Sequence, residues 1–450
     1  MIKYNALGLL INVLILSVLF STAYPKGEIN ASSEEEGAAS YELMFERVWS
    51  VYDEYYPYFI HKQINWDSLR FEYQPAFATC NSDSQFVRLL SNLLANLRDF
   101  HVGLRLPNGT TICPTFDYPR LIRYNMDWEC LPNYVPGIRE SEPLFYGITG
   151  DNFGYIAIPS WTEQAVEQFN SILFSMQHTD GLIIDVRMNA GGSEIAAQKI
   201  ASRFATHNAI YAYHRFRQGS RHDDFGALGA RNIAPVYDWR YLKPVALLVG
   251  VITMSSSESF VLMMDRFPQV VTIGEPTRGC SGNPTELELP NGIKYSVPRW
   301  VAFRANHQIF EGIGIAPDIY VPYTDKYKAS GTDPILERAI ESITSRLKID
   351  NPSISSLPTE YQLNQNYPNP FNTSTLIKFE LKERALVSLH ISNALGQEIV
   401  QLVNEVKEAG THSVTWDGQD KFGQPTTSGV YLYKIQANDF KDVKKMILLR

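Results

Sequence analysis

The sequence predicts a mainly parallel α/β domain, preceded by a helical region and followed by a small all-β sandwich. Three observations carry this expectation. Between residues 151 and 345, short runs apolar on both faces (Tyr155–Ile158, Leu182–Val186, Val245–Val249, Val270–Ile273) alternate with helical patterns such as Ala165–Met176 and Glu194–Phe204. Strands buried on both faces and linked by helices read this way. Upstream, Tyr41, Phe45, Val48, Trp49 and Tyr52 recur at helical spacing. Downstream, Ile377/Phe379/Leu381, Val387/Leu389/Ile391 and Val414/Trp416 alternate with period two, the signature of half-buried strands.

Taken in order, the chain opens with Lys3 and an apolar run from Ala6 to Phe20, closed by the small residues Ser21-Thr22-Ala23. The run falls short of the roughly 20 residues that span a bilayer, so residues 1–23 read as a cleaved secretory signal rather than an anchor. Residues 24–40, with Ser32-Ser33-Glu34-Glu35-Glu36, form a polar leader. Residues 41–104 are the helical subdomain. Its later helix runs from Phe86 to Leu97, with caps offered by Asn81-Ser82-Asp83-Ser84. Residues 105–150 form a Pro- and Gly-rich connector in which Asn108-Gly109 predicts a hairpin turn. The α/β domain then occupies 151–345. Asn351-Pro352-Ser353 through Pro358 marks a linker over 346–360, and residues 361–450 form the sandwich, its strands parted by Leu395-Gly396, Ala409-Gly410, Asp417-Gly418 and Ser428-Gly429.

Composition limits the function. The chain has 450 residues, 44% hydrophobic and 20% charged, with a net charge of −8. It is therefore a globular protein of two or three domains. Without a basic excess to neutralise phosphates it is not expected to bind nucleic acid. No later segment is apolar enough to cross a membrane, so the mature chain is expected to be soluble after export. Four cysteines (Cys80, Cys113, Cys130, Cys280) allow three full pairings. A Cys113–Cys130 bridge is the candidate, with four isolated thiols as the alternative. The sequence has no CxxC or HExxH, and His222-Asp223-Asp224 reads as a solvated loop, so no metal is expected.

Chemistry in such sheets collects at the carboxyl ends of strands. After Val245–Val249 come Thr253-Met254-Ser255-Ser256-Ser257-Glu258 and a helical pattern. A serine at that junction can act as a nucleophile beside a helix N-terminus, or simply as a cap. After Val186 come Arg187-Met188-Asn189-Ala190-Gly191-Gly192. Adjacent glycines let backbone N–H groups approach a ligand and could supply half of an oxyanion hole, the Ser256 N–H being the other half, or form an ordinary tight turn. Among nine histidines, His101 stands at the exit of the helices, after Leu97-Arg98-Asp99-Phe100.

These stretches, with Gly274-Glu275-Pro276-Thr277-Arg278-Gly279 and Gly312-Ile313-Gly314-Ile315-Ala316-Pro317-Asp318-Ile319, resemble the C-terminal processing (tail-specific) serine peptidase family over residues 41–325. The resemblance implies a crotonase/Clp-protease-like catalytic domain. One branch of the family carries a catalytic lysine just after the Gly-Glu-Pro-Thr-x-Gly segment, where this chain has Cys280. The other branch resembles the tricorn protease core and the retinoid-binding repeats of the eye. It has a histidine at the position of His101 and a glutamate at that of Glu311. The resemblance therefore implies Ser255 as nucleophile, His101 as general base and Glu311 as orienting carboxylate, with Gly191, Gly192 and Ser256 as oxyanion donors. Phe100 stands where the tricorn type places a serine. Glu311 would then reach His101 directly or through water, or Asp99 would substitute, or the relay would be broken. Only about fifty residues separate His101 from Gly154, short for the family's PDZ module, which is expected to be absent.

The sandwich resembles the C-terminal sorting domains of type IX secretion cargo in Tyr367-Pro368-Asn369-Pro370-Phe371-Asn372, Asn393-Ala394-Leu395-Gly396, Ser428-Gly429-Val430-Tyr431 and the Lys444-Lys445-Met446-Ile447-Leu448 ending. A generic adhesive sandwich is the alternative. Together the resemblances imply an exported, extracellular or cell-surface serine endopeptidase that needs no cofactor. Its partners would be peptide or unfolded-protein substrates and, through residues 361–450, the type IX machinery. A peptide- or lipophile-binding protein that keeps the fold without catalysis is the alternative.

Overall fold

The computed structural model describes residues 40–120, 122–236, 238–350 and 360–449. The expected signal peptide, the leader up to residue 39 and linker residues 351–359 lie outside the described residues. The chain divides into two compact units, one ending at Ile343 and the other beginning at Thr344.

The first unit is built on a seven-stranded sheet. In spatial order its strands are Ile319–Tyr320, Val270–Gly274, Val245–Val249, Gly181–Asp185, Phe153–Ala157, Leu144–Ile148 and Arg139–Ser141. The first five run parallel and the last two form an antiparallel hairpin at the edge. Strands 153–157, 181–185 and 245–249 are buried at every position, as their continuous apolar runs require. Helices Glu163–Ser175, Glu194–Ala201 and Ser256–Met264 share one core with them, including Phe169, Ile184, Ala197, Leu247 and Phe260. Each fully buried side chain of this size contributes roughly 1.5–3 kcal/mol. The 139–148 hairpin belongs to this sheet, although its sequence reads as connector.

Three N-terminal helices, Tyr41–Tyr55, Trp66–Ala78 and Asp83–Ala95, form a second core with a small antiparallel sheet. Phe45 stacks on Phe77 with ring centroids 4.3 Å apart. Ser82 caps the third helix by accepting the Gln85 N–H at 3.4 Å. The middle helix escapes periodicity because only Trp66 and Phe77 are buried on it. The small sheet pairs Leu104–Arg105 with Thr111–Ile112, the expected hairpin, and with Lys294–Pro298. This pairing stitches the helix exit at residue 101 to chain that follows the parallel strands.

The second unit has two antiparallel sheets, Gln362–Leu363/Thr375–Leu381/Gly410–Trp416 and Glu398–Lys407/Ala385–Asn393/Gly429–Ala437/Phe440–Leu448. Ile377, Phe379, Leu381, Val387, Leu389 and Ile391 are all buried in one shared core. Helix Pro334–Asp350 occupies the start of the expected linker.

The Cys113–Cys130 bridge is corrected. All four cysteines are free thiols. Cys113 is exposed, while Cys130 is buried and donates to the Asp127 carbonyl at 3.2 Å.

Candidate active site

The serine triplet follows the fully buried strand Val245–Val249. Thr253 fixes the intervening turn: its Oγ1 donates to the Val186 carbonyl at 2.9 Å and accepts the Gly250 N–H at 3.1 Å. Ser255 is then forced to φ 57°, ψ −126°, left-handed backbone that costs a non-glycine residue about 1–3 kcal/mol. Such strain at a strand-to-helix junction thrusts a side chain outward. Each serine has a separate task. Ser257 Oγ accepts from Trp161 Nε1 at 2.8 Å, and Ser256 Oγ donates to the Gly192 carbonyl at 2.7 Å. Ser255 Oγ lies 3.0 Å from His101 Nε2.

Glu258, one turn into the helix, locks this junction. It accepts the N–H groups of Ser255 (3.2 Å), Gly279 (2.7 Å) and Cys280 (2.8 Å) and the Thr277 hydroxyl (2.5 Å). Burial pushes its carboxyl up to about 7, against the lowering effect of these donors. A single buried carboxylate thus ties segment 277–280 to the Ser255 turn.

The glycine pair lies beside Ser255. A Cβ on Gly191 would sit 2.9 Å from the Ser255 Cβ, and one on Gly192 would sit 2.6 Å from the Trp161 carbonyl oxygen, with φ at 118° and 131°. Only glycine fits either place. Their roles differ. The Gly191 N–H donates to Asn189 Oδ1 at 2.8 Å and is therefore not available to an oxyanion, which corrects its assignment. The N–H groups of Gly192 and Ser256 meet no acceptor among the described residues and remain suitable for that role.

His101 is 3% exposed. Its backbone is held at both ends: the N–H donates to Asp99 Oδ1 at 2.9 Å and the carbonyl accepts from Ser296 Oγ at 2.7 Å. Burial lowers the imidazole pKa to about 4, opposed by the Asp99 charge and aided by Lys62, so the ring is neutral at pH 7. Nδ1 faces the Gly282 N–H at 3.1 Å and Cys280 Sγ at 3.1 Å.

Glu311 stands elsewhere. It accepts from Lys62 Nζ at 2.9 Å, from the Ser281 N–H at 2.9 Å and from Ser281 Oγ at 3.0 Å. No hydrogen bond joins it to His101 among the described residues, which corrects its assignment as the group that orients the ring directly. The physical reason is Lys62, a buried ammonium that also binds Asp99 Oδ2 at 3.0 Å. Burial disfavours this cation, but the two carboxylates outweigh that and hold its pKa above the usual lysine range. Burial raises the Asp99 carboxyl, and Lys62 with His101 reverses the shift to below the ordinary value. Phe100 packs with Ala190, Met254 and Cys280, under the Arg278 guanidinium at 4.6 Å from its ring.

Asp99, His101 and Cys280 bring possible metal-ligating atoms within 4.8 Å of one another. Those of Asp99 are already engaged by Lys62, Tyr56 and the His101 N–H, and His101 Nδ1 faces an N–H. The donor set suits hydrogen bonding better than a cation.

Sequence reasoning missed Lys62, Glu258 and Asn189. The signal for the last two lay within the quoted motifs. Lys62 sits in a loop with no motif around it.

Residues 152–321 match the model of Peptidase family S41, and residues 38–95 match that of the Tricorn protease C1 domain. The structure of the chain is similar to the crystal structure of a candidate peptidase from Parabacteroides merdae ATCC 43184, at 28% identity and a TM-score of 0.61, covering 68% of this chain and 97% of that one. In sequence it is similar to the carboxy-terminal processing protease CtpB of Bacillus subtilis (24% over 186 residues; 40% of this chain, 36% of CtpB). It is also similar to the tricorn protease of Thermoplasma acidophilum (23% over 247 residues; 54% of this chain, 20% of tricorn). The chain thus spans 20% to 36% of the length of these two relatives. Outside that match, residues 366–440 match the FlgD Ig-like domain.

Proposed function

We propose that the chain is an exported serine endopeptidase acting through an acyl-enzyme at Ser255. Ser255 Oγ attacks a peptide carbonyl while its proton passes to His101 Nε2. The oxyanion is stabilised by the N–H groups of Gly192 and Ser256, and the Nε2 proton then goes to the leaving amine. Water repeats the sequence on the ester. One observation carries the reading: a strained, helix-initiating serine whose Oγ lies 3.0 Å from a buried neutral imidazole. Substrates are extended or unfolded peptides, because Ser255 is half-buried and lines a narrow cleft with Ser256, Ser281, Asn283, Trp300 and Phe310. Digestion of a peptide library by the full chain and by Ser255→Ala tests this. Products from the wild type alone are expected, and identical products from both would refute it.

A second reading, binding without catalysis, is favoured by one feature: His101 Nδ1 faces an N–H and a thiol where a triad presents a carboxylate. Saturable peptide binding with no turnover would support it. In the export part of the proposal, residues 1–23 direct secretion and residues 361–450 are read by the type IX machinery. The Ig-like match supports a separate sandwich module and leaves its task to experiment. Deleting 361–450 should leave the protein cell-associated in its native host. Unchanged release would remove this part.

A further inference from the structure

We propose that the Cys280 thiol, in place of a carboxylate, is the positioning group that selects the reactive tautomer of His101. The inference rests on the serine-peptidase reading above. To accept the Ser255 proton, Nε2 must present its lone pair, so the ring proton must sit on Nδ1 and needs an acceptor there. Among the described residues only two groups lie at hydrogen-bond distance from Nδ1: the Gly282 N–H and Cys280 Sγ, each at 3.1 Å. The first can only donate. The usual acceptors are spent, Glu311 on Lys62 and Ser281, and Asp99 on Lys62, Tyr56 and the His101 backbone. Phe100 offers no polar atom. Sulfur is the remaining acceptor.

Two tautomers follow. In the idle one, Nδ1 accepts from Gly282 and Nε2–H points at Ser255 Oγ. In the reactive one, Nδ1–H is donated to Sγ and Nε2 is open. During attack the Oγ proton moves to Nε2, and the resulting imidazolium keeps its Nδ1 proton, hydrogen-bonded to sulfur. No proton is transferred to the thiol, which burial keeps protonated. Cys280 is fully buried against Ala190 and Met254, so its place relative to the ring is fixed by packing. A neutral sulfur is a weak acceptor, and the reactive tautomer also gives up the Gly282 N–H bond and sets that N–H against Nδ1–H, so it is a minority species that a better acceptor would enrich.

The test uses the full chain, a fluorophosphonate probe and nitrogen-15 NMR of histidine-labelled protein. Cys280→Ala and the near-isosteric Cys280→Val, which both lack an acceptor, should slow labelling of Ser255 by roughly 10- to 100-fold. Cys280→Ser should stay within about threefold of wild type, because it restores an acceptor at nearly the same place. The NMR signals of His101 should show the Nδ1-protonated fraction falling in Ala and Val and reaching or exceeding the wild-type level in Ser. Wild-type labelling rates in both Ala and Val, or a tautomer ratio indifferent to residue 280, would overturn the proposal. Failure of the wild type to label would instead strike the peptidase reading, and the tautomer ratio would still decide the role of Cys280.

Discussion

The two units bury very different things. Among the described residues, the core of the second unit is apolar apart from Asn366 and Thr375. The first unit buries Asp99, Asp185, Arg187, Glu194, Arg231, Glu258, Glu311 and Asp333 besides His101. Ion pairs desolvated to this degree are weak contributors to stability, since replacing them with apolar groups is often neutral or better. A fold that keeps them is using them for placement. Asp185, Arg187 and Asp333 hold the chain entering the glycine pair, Arg187 reaching Asp185 at 2.7 Å and Asp333 at 2.8 Å. Glu258 holds the Ser255 turn, and Lys62 holds the carboxylates of Asp99 and Glu311 close to His101. The sandwich has a packing problem alone, and it solves it with period-two strands.

The largest expected effect is on rate. His101→Ala should lower hydrolysis by roughly 10⁴- to 10⁶-fold with the fold intact, measured as single-turnover cleavage beside circular dichroism. A loss under tenfold would mean that the imidazole is not the base. Next is stability of the first unit. Lys62→Met strands Asp99 and Glu311 without a counter-charge and should cost about 3–5 kcal/mol, read from denaturant midpoints. Smaller and confined to the second unit, Leu389→Ala should cost about 2–5 kcal/mol in the sandwich transition alone, leaving peptide hydrolysis unchanged. Loss of activity in that variant would break the contrast between the units. The subtlest concerns pH. A general base must be neutral, so the rate should fall as pH drops through the lowered imidazole pKa of about 4. Burial sets that value, with the Asp99 charge, Lys62 and the neutral Cys280 thiol around the ring. An acid limb near 6.5, the ordinary histidine range, would show the ring to be more hydrated than its packing implies.

Much of this was legible in the sequence, for a physical reason. Runs such as Val245–Val249 have one reading, because strands covered on both faces are filled by apolar side chains; Leu182–Val186 departs from this only at Asp185, whose carboxylate is paired with Arg187. Ser255, His101 and the glycine pair were legible because each follows a strand or helix end whose pattern is strong. The edge hairpin 139–148 was not, since its outer strand, Arg139-Glu140-Ser141, is largely exposed and carries no apolar period. The carboxylate relay was not legible either. Whether Glu311 touches His101 depends on Lys62, 249 positions away from Glu311, and no local pattern encodes that contact. The structure sets the glycine pair against Ser255 and Trp161, but which N–H is free turns on the Asn189 side chain.

The most direct measurement is mass-spectrometric mapping of a fluorophosphonate adduct on the full chain at neutral pH. A stoichiometric adduct on Ser255 is expected, absent in Ser255→Ala and nearly absent in His101→Ala. An adduct on another residue, or equal labelling of Ser255 without the imidazole, would contradict it.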